Sequence, residues 1–468
     1  MSWATTWTGP LQDYLQPYDP LIGDQRTRVT FRAIIKGILS GGRLICQQIA
    51  RHAPELAQSR YGAQRVIRFV QGESTQRSAL DADHLTAKLR ERALQQWNAR
   101  EPDEGEAEEE LWLIMDESDL RKPYAQEMAD LMWVRDLDGD LVPGYRTLNV
   151  LSVTPGWRGL LYHRLFSSQE TSFVSEPHEV QRALQTVSAS LEHVSREPVV
   201  SWVLDRGFDD VAVWRTIWEQ EAHMVCRISH TERLVAYQDE QGGWQEGSIE
   251  AARAHLRPMA KTRSRMKLRL GVQKRPKRQT VRVEIRTCPL RLSYDGNVRR
   301  AGAKAPKRQA LWLVEVRLVK AQREPWLLVT DRPVENEAMA EQIFRMYRQR
   351  WAIEDAFKYT KDCLGWEAVQ VLDLKAIRGL VALAWVAAGF LYEMGVTLEW
   401  PEIQLLGRLG GWDGRVDRPP GQTVITRGLQ EMIHSLITYA MLKDYIAQHG
   451  GLPPGLSALI RDFTNADL

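Results

Sequence analysis

The sequence predicts an α/β fold preceded by a helical region, and three observations carry that prediction. From residue 111 onward, short apolar runs bounded by turn residues alternate with helical periodicity. Residues 24–97 keep helical periodicity throughout. A basic, strand-like block lies between residues 257 and 308, late in the chain.

The bulk composition sets limits. A chain of 468 residues with 44% apolar content is long enough for two or three domains with real cores. Cys46, Cys226, Cys288 and Cys363 lie far apart without a CxxC pair, which argues against a zinc knuckle and a disulfide framework and for a reducing, cytosolic setting. No basic start followed by an apolar core marks a secretory signal. The longest apolar run, residues 379–392, is expected to be a buried core helix rather than a bilayer span, so no membrane partner is expected. Net charge is only +2, but residues 257–308 hold eighteen Lys or Arg against two acids, a net of +16, which leaves −14 for the rest of the chain. Such asymmetry is the footprint of a polyanion-binding segment.

In chain order, residues 28–39 and 43–52 read as helices around the turn Gly41-Gly42, followed by helices at 62–70 and 80–97. Arg26, Arg28, Arg32, Lys36, Arg43, Arg51, Arg60, Arg65 and Arg68 make residues 1–100 a candidate helical DNA-binding domain, with a plain helical bundle as the competing view. Residues 101–110, EPDEGEAEEE, carry seven acids and read as a linker. Residues 111–116 (LWLIMD) form an apolar strand ending in Asp116, and strands follow at 144–153 and 159–166. After a helix at 179–194, residues 198–205 (PVVSWVLD) form a second buried strand ending in Asp205, and residues 222–229 a third. Residues 230–325 are a basic β-rich insertion, after which the strand 326–331 and a long helix, 336–364, return to the sheet. This order matches a ribonuclease H-like catalytic core in two parts, 111–229 and 326–395, with a helical C-terminal region at 396–468.

Within YRQRWAIEDAFKYTK, Tyr347, Arg350, Glu354 and Lys361 stand at positions 0, +3, +7 and +14. At about 100° per residue they share one stripe about 21 Å long. One acid flanked by cations on such a stripe suits a divalent ion beside a phosphodiester; ordinary charge pairs on an exposed helix are the bland alternative. Asp116 and Asp205 tip the balance, because strand-end acids at the carboxyl edge of an α/β sheet stand where ligands collect. With Glu354 they form a candidate metal-binding set; Asp119, Asp209 and Asp210 are local competitors beyond the strand ends.

The spacing Tyr, two residues, Arg, three residues, Glu, six residues, Lys, together with VLDRGF around Asp205 and the apolar strand ending in Asp116, resembles the DDE transposases of bacterial insertion sequences with the Tyr-Arg-Glu-Lys signature. The resemblance covers roughly residues 24–395. It implies that Asp116, Asp205 and Glu354 are catalytic and bind two Mg²⁺ ions, for which Mn²⁺ is expected to substitute. It implies that Tyr347, Arg350 and Lys361 contact phosphates near the cut and that Arg206, next to Asp205, touches DNA. It further implies a cytoplasmic, nucleoid-associated cut-and-paste enzyme whose partners are double-stranded DNA, both element ends and target, and a second copy of itself in a synaptic homodimer. Several members release the element through a hairpin, aided by an aromatic residue stacked on a flipped base, a role for which Trp244 is the candidate. Arg257, Lys261, Arg263, Arg265 and Lys267 are the expected DNA contacts of the insertion. A metal-dependent endonuclease without strand transfer and a catalytically retired DNA-binding regulator are the alternatives.

Overall fold

The computed structural model describes residues 3–452 apart from 42, 58, 73–79, 101–109, 137, 155–156, 196–197, 269–276, 293–309, 322 and 417–418. Residues 101–109 of the proposed acidic linker, parts of the basic block and the end of the C-terminal region therefore lie outside the described residues, while Glu110, the last linker residue, already belongs to a strand. The chain forms two compact units: residues 1–89, 120–145 and 357–468, and residues 90–119 and 146–356.

The first unit is helical and is built around the helix Leu374–Thr397. Leu380, Val381, Ala382, Leu383, Ala384, Val386, Ala387 and Ala388 are all fully buried, which follows from a helix apolar on every side. By length and composition its segment Leu374–Gly395 could cross a membrane, yet 83% of its most apolar window is buried inside the protein, the mark of a core helix. Tyr14, on the helix Trp3–Leu15, donates a hydrogen bond to Val386 O at 2.9 Å and packs edge-on against Phe390. The helices Gln25–Gly41, Cys46–Arg51 and Gly62–Gln71 also belong to this unit, as do Trp400–Leu409 and Gln422–His449.

The second unit is a large mixed sheet with helices. Its strands are β1 (Glu110–Arg121), β3 (Leu141–Thr154), β4 (Trp157–Phe166), β5 (Val199–Leu204), β6 (His223–Arg227), β7 (Leu234–Gln238), β8 (Trp244–Ser248), β9 (Arg257–Leu268), β10 (Lys277–Leu292), β11 (Ala310–Leu318) and β12 (Trp326–Thr330). The short β2 (Met132–Arg135), with the adjoining ends of β1 and β3, falls in the first unit. Neighbours run β3-β1-β5-β6-β12-β11-β10-β7-β8, with β4 on β3 and β9 on β10. β1, β5 and β6 are parallel, and β12 returns antiparallel to β6. Parallel strands are covered on both faces and so need apolar residues at successive positions, which is why residues 111–115 are buried without alternation. Trp202, Trp214, Leu184 and Leu204 fill the core against these strands. The strands of the insertion extend the same sheet through β11 and β12 rather than folding apart from it.

Two expectations need correction. β1 does not end at Asp116 but runs on to Arg121. It leaves β5 after Met115 while remaining beside β3, where Thr147 donates to Ser118 O and Leu120 is fully buried. The long helix is divided into Glu337–Gln349 and Trp351–Leu364. At the junction the N–H groups of Arg350 and Ile353 bond carbonyls three residues back, the tightened 3₁₀ pattern that breaks a regular helix.

Candidate active site

Strand register brings the two aspartates together. Met115 is opposite Leu204 in the parallel β1–β5 ladder, so the next residue of each strand, Asp116 and Asp205, emerges at the same sheet edge. Glu354 lies in the first turn of the helix Trp351–Leu364. All three acids meet the guanidinium of Arg350: Nη1 is 3.3 Å from Asp116 Oδ2 and 3.4 Å from Asp205 Oδ2, while Nη2 donates to Glu354 Oε1. Tyr347 donates its hydroxyl to Asp205 Oδ1 at 3.1 Å. Three carboxylates from distant parts of the chain thus share one cation.

Burial grades the three acids, with side-chain exposure of 18% for Asp116, 29% for Asp205 and 49% for Glu354. Burial pushes the Asp116 carboxyl up to about 7 even though Arg350 pulls it down, and the Asp205 charge adds to the rise. Burial alone would lower Arg350, but Asp205, Glu354 and Asp116 hold it above its ordinary value. Burial, then the Asp205 charge, raises the Tyr347 phenol, so it stays a hydrogen-bond donor.

A pH dependence follows for the metal-free protein. The folded chain keeps the Asp116 proton until about pH 7, whereas an ordinary exposed aspartate loses it near 3.8, so between these values the folded state binds more protons. Stability should therefore fall as pH rises from about 4 to about 7, by about 4 kcal/mol at most from this group. Thermal unfolding of Asp116→Asn across that range should show a flatter fall than the parent; an unaltered profile would remove the proposed titration.

The competing acids have structural tasks. Asp209 is buried and accepts from Ser229 N, His230 N and Arg233 Nη1 at 2.6, 2.8 and 2.7 Å. Asp210 caps the helix Val211–Glu219, and Asp119 pairs with Arg146 at 3.4 Å. Of the signature residues, Tyr347, Arg350 and Glu354 come together; Lys361 belongs to the other unit and pairs with Glu367 at 3.8 Å. Arg206 reaches Glu324 at 3.8 Å and is half exposed.

A cavity of about 360 Å³ beside Tyr347 and Arg350 is lined by Arg206, Arg227, Arg323, Glu324, Trp326 and Trp351. Trp326 packs edge-on against both Tyr347 and Trp351 at centroid distances of 5.3 and 5.4 Å. Arg227, Arg323, Trp326 and Trp351 escape sequence reasoning because no spacing links them. The one available signal was Trp351, next to Arg350 within the signature run.

In the insertion, alternate residues of β9 face outward: Lys261, Arg263 and Arg265 are exposed and make no ion pair among the described residues. Arg263 stands opposite Arg282, so two like charges are aligned there, whereas Lys261 stands opposite Glu284. Arg257 instead donates to Asp239 O. Trp244, on β8, is 40% exposed, with the Arg291 guanidinium 3.9 Å from its ring centroid, so one ring face is already covered.

Among the described residues no group of three His, Cys, Asp or Glu side chains is arranged to hold a metal ion. The oxygen donor set nevertheless fits a hard divalent cation: three carboxylates converge on one positive charge, which the guanidinium supplies.

A family model described as the transposase DDE domain matches residues 162–388, a span that contains Asp205, Tyr347, Arg350, Glu354 and Lys361 but not Asp116. Over somewhat less than half of its length the chain is thus similar to the DDE domain of transposases. Among solved structures the chain is similar to the cryo-EM structure of the piggyBac transposase synaptic complex with hairpin DNA, at 11% identity and a TM-score of 0.36, covering 76% of this chain and 57% of that one. This chain thus spans somewhat more than half the length of that transposase. No curated protein matches it in sequence.

Proposed function

We propose that the protein is a cut-and-paste DNA transposase with a ribonuclease H-like catalytic core, of the Tyr-Arg-Glu-Lys group of bacterial insertion-sequence enzymes. The observation that carries this reading is the engagement of Asp116, Asp205 and Glu354 by the single cation of Arg350, with Tyr347 fixed on Asp205. Asp116, Asp205 and Glu354 would hold two Mg²⁺ ions, with Mn²⁺ as a substitute. When bound, the ions would supply Lewis acidity at the reacting phosphate and activate the attacking oxygen. The chain's own groups orient the substrate. Arg206, Arg227 and Arg323 around the neighbouring cavity neutralise backbone phosphates, and the Trp326 and Trp351 rings exclude water. Lys361 contacts phosphate farther along the bound end. The helical N-terminal region binds terminal inverted repeats, two copies pair the element ends, and the setting is a bacterial cytoplasm, at the nucleoid.

Incubating precleaved, labelled element ends with plasmid tests the proposal. Mg²⁺-dependent joined product is expected; nicking without joining would point to an endonuclease, and specific binding with neither to a DNA-binding regulator.

The outward face of β9 should supply affinity without specificity. Neutralising Lys261, Arg263 and Arg265 together should reduce the slope of log affinity against log salt by about 0.9 per lost phosphate contact on duplex DNA. An unchanged slope in a salt titration would mean that the strand does not touch DNA.

A further inference from the structure

The first unit holds a second strongly basic segment. Residues 25–71 carry nine Lys or Arg and a single acid, Glu55, which is taken by Lys36 at 2.5 Å. Arg32 pairs with Asp19, and Arg65 donates to Thr30. Arg43, Arg51, Arg60 and Arg68 are exposed and make no ion pair among the described residues.

The helix Gln25–Gly41 packs on Cys46–Arg51 at backbone distance, and Gly62–Gln71 starts as close to the one-turn helix Pro54–Ala57 that precedes it. A Cβ at Gly37 would lie 2.3 Å from Ile49 O, and one at Gly62 the same distance from Leu56 O, so neither site accepts a side chain. Cys46–Arg51 has six residues and buries Cys46, Ile49 and Ala50, leaving little face to offer. Gly62–Gln71 has ten, and its burial is one-sided: Val66, Phe69 and Val70 face inward. At about 100° per residue, Tyr61, Gln64, Arg68 and Gln71 fall on the opposite stripe. Gln64 and Arg68 are exposed with no hydrogen-bond partner among the described residues, and Tyr61 is 55% exposed.

We infer that Gly62–Gln71 is a recognition helix that enters the major groove of duplex DNA, with Gln64 and Arg68 contacting base edges. The surrounding arginines supply the charge complementarity to phosphate, and the two exposed side chains supply the chemistry. Gln makes paired hydrogen bonds to adenine, and Arg to the O6 and N7 of guanine. In three-helix readers the last helix lies in the major groove and presents residues three and four apart along one face to the bases, as Gln64 and Arg68 are spaced. Arg43, Arg51 and Arg60 take the phosphate role. The inference rests on the proposed DNA-processing function and adds to it the element and residues that choose the sequence.

The test is selection of bound sites from a random duplex library by the full chain and by Gln64→Ala, Arg68→Ala and Arg68→Lys, each with an unfolding temperature as a folding control. The parent should enrich a motif. Each alanine variant should lose preference at one or two adjacent base pairs, by about 5- to 150-fold per lost contact. Arg68→Lys keeps the charge but not the paired geometry; it should retain affinity for random DNA while relaxing the guanine preference. An identical motif from all variants, or no motif from the parent, overturns the inference. Mg²⁺-dependent cleavage and joining are scored separately, so a parent that selects a motif but never cuts would sink the proposed function and leave the recognition helix standing.

Discussion

Replacing Glu354 by Gln is expected to lower Mg²⁺-dependent cleavage of element ends by about 10³-fold or more, while binding of those ends stays within a few-fold of the parent. The substitution keeps the size of the side chain and its position in the first turn of the helix Trp351–Leu364, but removes a charged oxygen from the set gathered around Arg350. Glu354 is the most exposed of the three acids, so the loss should fall on chemistry rather than on folding. A gel of labelled ends incubated with Mg²⁺, beside a band-shift with the same ends, separates the two quantities. Cleavage at the parental rate would take Glu354 out of the site.

Arg350→Ala should produce the largest loss of stability in the metal-free protein. The side chain is 9% exposed and is the shared partner of Asp116, Asp205 and Glu354. Removing one partner of a buried ion pair leaves uncompensated charge and typically costs about 3–5 kcal/mol. Part of that is relieved here because Asp116 is already pushed toward its protonated form and Glu354 reaches solvent. Adding divalent metal should then raise the unfolding free energy of the variant more than that of the parent, because the guanidinium no longer competes for the carboxylates. Urea unfolding with and without Mg²⁺ measures both effects. A variant as stable as the parent, with no greater response to metal, would mean that Arg350 does not stand in for a cation.

The two aspartates were legible in the sequence because each follows a mostly apolar run, and such runs belong to strands covered on both faces. The signature around Glu354 was legible because its spacing is local. Where β1 stops was not, since the residues after Asp116 are mixed in polarity and their strand geometry comes from β3, paired through a distant stretch of chain. The division of the long helix was equally hidden: nothing in RQRW breaks a helix by propensity, and the tightened turn at Arg350 accompanies the contacts of its side chain with three acids. Arg227 and Arg323 meet the cavity only through the sheet and the end of the insertion, so no window of sequence could join them. The helices of residues 25–71 were visible from periodicity. Which of them shows a free face depended on packing at Gly37 and Gly62, a property of the folded state.

The opposition of Met115 and Leu204 also constrains how this chain can change. Side chains along a strand alternate sides, so sliding either strand by one position would send one aspartate to the far side of the sheet. Insertions or deletions within residues 111–115 or 199–204 should therefore silence the protein outright, whereas changes of length in the turns before those strands should be tolerated. Activity in such a chain is inherited as a matched pair of strand lengths, not as two separate acids.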